Sequence, residues 1–255
     1  MDKATLIGLI AGIGVVVAGH VFEGGHVGSL LQPGAFFIVV GGTFGAMLTQ
    51  SSLTDFKAGL RLAKWTFAPP PVDYQATIAQ IVGWSQTARR GSFLDLEKEG
   101  DRLTDPFLKK GLRLLVNGSE PDLIADYLLN ELTAWEDKYH KDARFWEAAA
   151  GYSPTLGILG AVLGLIHTMA NISDPDAVGA GIAVAFVATI YGIGLANLVY
   201  LPIYKKLTVL IRDYVRLRTI QIEGLLGIAG EANPRQVEGR MQSFLLHEAA
   251  AGTPR

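Results

Sequence analysis

Lysine and arginine are absent from two long intervals of this 255-residue chain, residues 4–56 and 145–204. Those two intervals contain four apolar runs without any Asp, Glu, Lys or Arg, at about 5–22, 30–49, 152–170 and 178–201. Each run has about the 20 residues that a helix needs to cross a bilayer. Because a chain in lipid must satisfy its own backbone hydrogen bonds, the pattern predicts four transmembrane helices.

The apolar runs pair into two hairpins with short connections, residues 23–29 and 171–177, which contain acids and no lysine or arginine. Since basic loops stay in the cytoplasm, both connections are expected outside and both termini inside. This topology predicts a division into a first hairpin, a cytoplasmic helical domain, a second hairpin and a cytoplasmic C-terminal part, at residues 1–50, 51–147, 148–203 and 204–255.

The cytoplasmic segments have helical spacing, and the sequence shows no strand pattern and no internal repeat. No glycine or proline interrupts residues 122–150, so the helix that starts there should continue into the third apolar run. The fourth run should likewise continue into the C-terminal part, through "YKKLTVLIRDYVRLRTIQIEGLL". The predicted fold class is all-α, with four transmembrane helices, two of which extend into the cytoplasm.

Signatures of enzymes and cofactor sites are missing from the sequence. It has no cysteine, its five histidines are scattered without metal-ligand spacing, and it has no phosphate-binding G-x-x-x-x-G-K-[ST] motif. A net charge of −2 does not point to nucleic acid. We therefore expect no enzyme activity, no cofactor and no metal. Charge-free spans leave two alternatives: the chain moves no ions, or it surrounds an ionisable residue of a partner.

Small residues and prolines mark the third and fourth runs. Gly157, Gly160 and Gly164 lie on one helix face and permit close helix packing in lipid. Pro154 and Pro202 each remove a backbone donor where a span meets the cytoplasm, and opposite chain directions should bring them to similar depth. They are either static kinks or a pair of hinges.

These segments resemble a known family. "GYSPTLGILGAVLGLIHTM", "GIAVAFVATIYGIGLANLVYLP" and "FIVVGGTFGA" are similar to spans of MotA-type flagellar stator proteins, and "ARRGSFLDLE" is similar to their cytoplasmic domain. The resemblance implies a pentamer in the bacterial inner membrane around two copies of a single-span, peptidoglycan-binding MotB-type partner. That partner would supply the missing carboxylate. Proton flow would then drive the rotor in flagellum-dependent motility and chemotaxis.

The resemblance also implies roles for single residues. Pro154 and Pro202 match prolines tied to conformational coupling. Residues matching the family's rotor-contacting charges, or adjoining them, are Arg89, Arg90, Glu97 and Glu99. Judged without the resemblance, these charges would instead be read as an ordinary solvated helix surface.

The resemblance also implies two positions on the ion pathway, which bear on the choice between protons and sodium. Sodium-type relatives have two threonines there, whereas this chain has Thr189 and Ala161. Since sodium needs several oxygen ligands and a proton does not, the loss of one hydroxyl favours protons. Two rivals stay open: a TolQ/ExbB-like energiser of the envelope or of uptake, and a secondary transporter, which would usually contain internal repeats and broken helices.

Overall fold

A computed structural model describes residues 2–91 and 93–251 of the chain. It contains helices throughout and no strand within that part. The helices, in chain order, are α1 Lys3–Phe22, α2 Pro33–Phe36, α3 Gly42–Gln50, α4 Leu53–Leu62, α5 Lys64–Phe67, α6 Tyr74–Arg90, α7 Glu97–Arg102, α8 Pro106–Val116, α9 Pro121–Ala170, α10 Pro175–Leu195, α11 Leu201–Ala229 and α12 Pro234–Ala251. Short 3₁₀ turns lie at Val27–Leu30 and Phe93–Leu96, and π-helical turns at Phe37–Gly41 and Ala196–Tyr200.

Four helical segments are long and apolar enough to cross a membrane: Lys3–Phe22, Val27–Gln50, and parts of Pro121–Ala170 and of Pro175–Ala229. The π turn at Phe37–Gly41 joins α2 to α3, and that at Ala196–Tyr200 joins α10 to α11. Helix α9 is 50 residues long, as expected from its uninterrupted sequence. The predicted all-α membrane fold, with two spans extended by polar helices, is confirmed.

The chain divides into two compact units. The first contains residues up to Pro70 together with Tyr139–Leu210, and therefore all four apolar segments. The second contains Pro71–Lys138 together with residues from Ile211 onward. Packing does not locate the edges of a membrane, so the four domain boundaries taken from the sequence stay predictions.

In the first unit, α4 is fixed against α9 by close contact at a glycine. A Cβ atom on Gly59 would lie 2.5 Å from the ring of Phe145, so only glycine fits there without displacing that ring. The indole N–H of Trp146 donates to the Gly59 carbonyl at 3.0 Å.

The second unit has an apolar core drawn from α6, α8, α9, α11 and α12. Its fully buried side chains include Ile81, Leu112, Leu128, Ile220 and Met241. Within this unit Asp105 caps the N-terminus of α8, accepting from the Phe107 amide, and also accepts from the buried guanidinium of Arg218. The guanidinium stacks over the Phe107 ring, 4.8 Å from its centre. One carboxylate thus fixes the start of α8 against α11.

Candidate functional site

The third and fourth apolar helices, in α9 and α10, approach until their backbones touch. A Cβ atom on Gly157 would lie 2.9 Å from the Ala188 carbonyl oxygen, and one on Gly164 would lie 2.9 Å from the Gly181 carbonyl oxygen. Gly160 faces the Ala188 methyl group, which would be 2.8 Å from an added Cβ. All three predicted packing glycines therefore lie in one line of close contact between α9 and α10. We call this contact, made by Gly157, Gly160 and Gly164 of α9 with Gly181 and Ala188 of α10, the seam.

A polar contact crosses the seam next to Pro154. The hydroxyl of Ser153, which is fully buried, donates to the Gly192 carbonyl at 3.0 Å. A Cβ atom on Gly192 would lie 2.7 Å from the Ser153 carbonyl oxygen and 3.2 Å from the Pro154 Cα. Pro154 itself is tolerated inside α9, which runs unbroken on both sides of it.

Pro202 is not level with Pro154 along the packed third and fourth helices. It is ten residues beyond Gly192, about 15 Å along the fourth helix at 1.5 Å per residue. The expectation that both prolines share one depth is wrong, because the close contacts of the seam set the register and pair Pro154 with Gly192. Just before Pro202 the helix widens into its π turn, where the Leu201 amide donates to the Ala196 carbonyl. Such turns commonly mark functional positions in helices.

Ala161 and Thr189, the predicted pathway positions, each follow directly after a residue of the Gly160–Ala188 contact. Both are partly exposed, so both lie at the margin of the seam. The Thr189 hydroxyl donates to the Ala185 carbonyl of its own helix at 3.2 Å. Its hydrogen is therefore used, while its oxygen can still accept.

The four predicted charges of the cytoplasmic domain lie close together in the chain but differ in their contacts. Arg89 and Arg90 end α6 and Glu97 begins α7; all three are exposed and form no ion pair with any residue the structure describes. Glu99 differs, since it pairs with Arg102 at 3.1 Å. Arg89, Arg90 and Glu97 thus have charges available to a partner.

Sequence reasoning missed the α10 side of the seam. Small residues recur there at spacings of four, three and four, at Gly181, Ala185, Ala188 and Gly192. That stripe is readable in the sequence and is complementary to the glycines of α9. Across the described residues, no three or more His, Cys, Asp or Glu side chains are grouped as metal ligands would be.

Comparison with known proteins assigns the chain to a family. Residues 6–90 match the "Motility protein A N-terminal" family, and residues 99–219 match the "MotA/TolQ/ExbB proton channel family". Motility protein A of Bacillus subtilis is 33% identical over 249 residues, covering 96% of this chain and 91% of the relative. The chain belongs to the MotA/TolQ/ExbB proton channel family. The resemblance drawn from the sequence is confirmed.

Solved structures of the MotA/TolQ/ExbB family support the same assignment. The solved structure described as "Structure of C. jejuni MotAB" superposes with a TM-score of 0.92 at 31% identity, covering 97% of each chain. The flagellar MotAB stator complex of Bacillus subtilis gives 0.88 at 30% identity, covering 99% of this chain and 100% of the other. Family membership and four apolar helices make this chain a multi-pass membrane protein.

Proposed function

We propose that this chain is a flagellar stator subunit that, with a MotB-type partner, converts proton-motive force into torque. The likeness over 97% of the chain to a MotAB structure supports this most strongly. The match of residues 6–90 to the Motility protein A N-terminal family favours a stator over a TolQ/ExbB-like energiser.

The titratable group on the proton path would belong to the partner. The four spans contain no Asp, Glu, Lys or Arg, so this chain would provide the wall of the path. Thr189 with Ala161 would line it, and the single hydroxyl favours protons over sodium. We place five copies around two partner helices in the inner membrane, with both termini in the cytoplasm.

Coupling would pass through the seam. Motion of α9 about Pro154 would be transmitted to α10 by the Ser153–Gly192 bond and the glycine contacts. Pro202 with its preceding π turn would act as a second hinge, ten residues C-terminal of Gly192 on the fourth helix. The static-kink alternative predicts that neither proline is needed for torque.

Torque would reach the rotor's switch-complex protein through Arg89, Arg90 and Glu97. Exposed charge pairs contribute only about 0–1 kcal/mol each, which suits contacts that form and release during rotation. Glu99 would contribute less, because it is already paired with Arg102.

The variant Arg90→Glu tests the proposal. Swarming should weaken, and reversing the opposing charge on the rotor protein should restore it. Arg212→Glu is the matched control, since Arg212 is exposed on α11 and the change in charge is the same. Normal swarming of Arg90→Glu would count against this surface.

A further inference from the structure

Helices α4 and α5 form one short segment whose two ends are both attached to apolar spans. Helix α4 begins at Leu53, three residues after the second span ends. At the other end of the segment, the Asp2 amide donates to the Phe67 carbonyl at 2.8 Å, and the first span begins one residue after Asp2. Only Ala63 separates α4 from α5, and its backbone stays in the right-handed helical region. The α4–α5 segment therefore runs along the boundary of the membrane.

One face of the α4–α5 segment packs on α9. Gly59 lies against the Phe145 ring, and the Trp65 indole stacks on the Tyr139 ring with the ring centres 5.0 Å apart. Leu62, one turn along from Gly59, is buried as well. Because these contacts lie on one side, they fix which face of the segment is left exposed.

The exposed face contains three bases. Lys57, Arg61 and Lys64 recur at spacings of four and three, so they lie on one side of the helix. All three are exposed and form no ion pair with any residue that the structure describes. Asp55, the single acid of the segment, does not neutralise them, because it pairs with Lys141 of α9 at 2.9 Å.

Two exposed leucines, Leu53 and Leu60, lie at the edge of the same face. A face that met only bulk water would leave both apolar side chains in water. The headgroup layer of a bilayer is roughly 5–8 Å thick on each side of the hydrocarbon. A face in that layer can direct leucines toward the acyl chains and bases toward phosphates.

We propose that the face formed by Lys57, Arg61 and Lys64 binds the headgroups of anionic phospholipids; this rests on the membrane placement in the function proposed above, and not on torque or proton flow. Charge selects anionic over zwitterionic headgroups, since each base near an anionic surface strengthens binding about fivefold. Position selects lipid over a soluble partner, because both ends of the segment are attached to membrane spans. The chain would thus recognise the lipid composition of its membrane.

Retention of lipid tests the proposal. The full-length chain with its MotB-type partner would be reconstituted in nanodiscs with equal amounts of phosphatidylglycerol and phosphatidylcholine. After extraction in mild detergent, mass spectrometry would count the lipids that remain bound. The natural chain should retain several-fold more phosphatidylglycerol than phosphatidylcholine. The triple variant Lys57→Gln, Arg61→Gln, Lys64→Gln should lose most of that preference.

Two further variants separate this face from total charge and from folding. A control variant removes three exposed bases from the second unit: Lys98→Gln, Arg113→Gln and Arg235→Gln. It should keep the full preference. A charge-conserving variant, which interchanges lysine and arginine at the three positions of the face, should keep it as well.

Several outcomes would overturn the proposal. The natural chain could show no preference, the glutamine variant could keep it, or the control variant could lose it equally. Displacement of the lipid by millimolar inorganic phosphate would indicate a site for the free anion. Dissociation of the assembly in the glutamine variant would show that a neighbouring subunit covers the face. None of these results bears on the stator function. Conversely, absent proton flux with an intact lipid preference would count against that function and leave the lipid surface standing.

Discussion

Single glycines decide how closely the two helices of the seam can approach. Lipid gives two apolar helices no hydrophobic reason to associate, so close packing and short polar contacts must hold them together. Gly192 provides both. Its missing side chain leaves room for the backbone of Ser153 and Pro154, and its carbonyl accepts a hydrogen bond from the Ser153 hydroxyl. A side chain at this position would push the two helices apart where motion is proposed to pass between them.

Gly192→Ala should destabilise the folded chain, because the new Cβ would lie 2.7 Å from a backbone oxygen that has little freedom to move. Overpacking of this kind costs about 1–3 kcal/mol. Gly194→Ala is the control, since an added Cβ there meets nothing within 4 Å. Thermal unfolding in detergent should separate the two variants; equal midpoints would show that the seam opens freely.

Asp55 gives the start of α4 a dependence on pH. The hydrogen bond from Lys141, at 2.9 Å, and a second from Ser52 lower the pKa of the Asp55 carboxyl. A lowered pKa contributes stability above the ordinary value of about 3.9, which is lost as pH falls through the folded value. The protection factors of α4 amides against hydrogen exchange, which correct for the intrinsic effect of pH, should therefore fall in acid below about pH 4.

Lys141→Met is the control for that acid effect. Without the lysine the largest cause of the lowered pKa is gone, so the protection factors in α4 should depend less on pH. Since the pair is exposed, the effect should be small and should diminish in salt. Identical acid profiles would assign the effect to another group.

The helices themselves were largely predictable, whereas their register was not. Apolar runs without charge predict the spans, and the unbroken sequence before Gly151 predicts the length of α9. The pairing of Pro154 with Gly192 depends on which side chains interlock between two helices, and local periodicity contains no such information. The π turn before Pro202 escaped prediction for the same reason.

The residues of the cytoplasmic unit likewise include some that the sequence predicts and some that it does not. The charges at Arg89, Arg90 and Glu97 came from a family resemblance in a continuous stretch of sequence. A pocket lined by Ser85 and Glu231 could not be predicted in this way, because these residues are 146 apart in the chain and meet only when α6 packs beside α11.

At the scale of the helix, Pro154→Ala distinguishes a hinge from a static kink. Alanine supplies the N–H that Pro154 cannot give to the Ala150 carbonyl, so α9 should become stiffer and no less stable. Motility should be lost while assembly with the MotB-type partner persists. Pro175→Ala is the control, since Pro175 begins α10, where the missing N–H costs nothing. Swimming speed at equal expression is the measurement, and normal speed for Pro154→Ala would favour the kink.

At the scale of the whole molecule, we propose that the assembly, and not this chain alone, carries protons, because the spans contain no Asp, Glu, Lys or Arg. A proton crossing the membrane needs a titratable group or a water chain. The four spans contain no Asp, Glu, Lys or Arg, and His20 and His167 lie near the ends of the first and third spans. Large apolar side chains are exposed on α1, on residues 152–170 of α9 and on α10, as on surfaces that meet lipid or other helices.

Reconstitution in liposomes with an imposed proton gradient checks this division of labour. The chain alone should leave the gradient intact, and the chain together with its MotB-type partner should dissipate it. Replacing the partner's membrane carboxylate by its amide should return the rate to that of the chain alone, because the wall would remain while the titrating group is gone. Proton flux through the chain alone would instead support a transporter with its own path, and the proposed borrowing of the carboxylate would then be wrong.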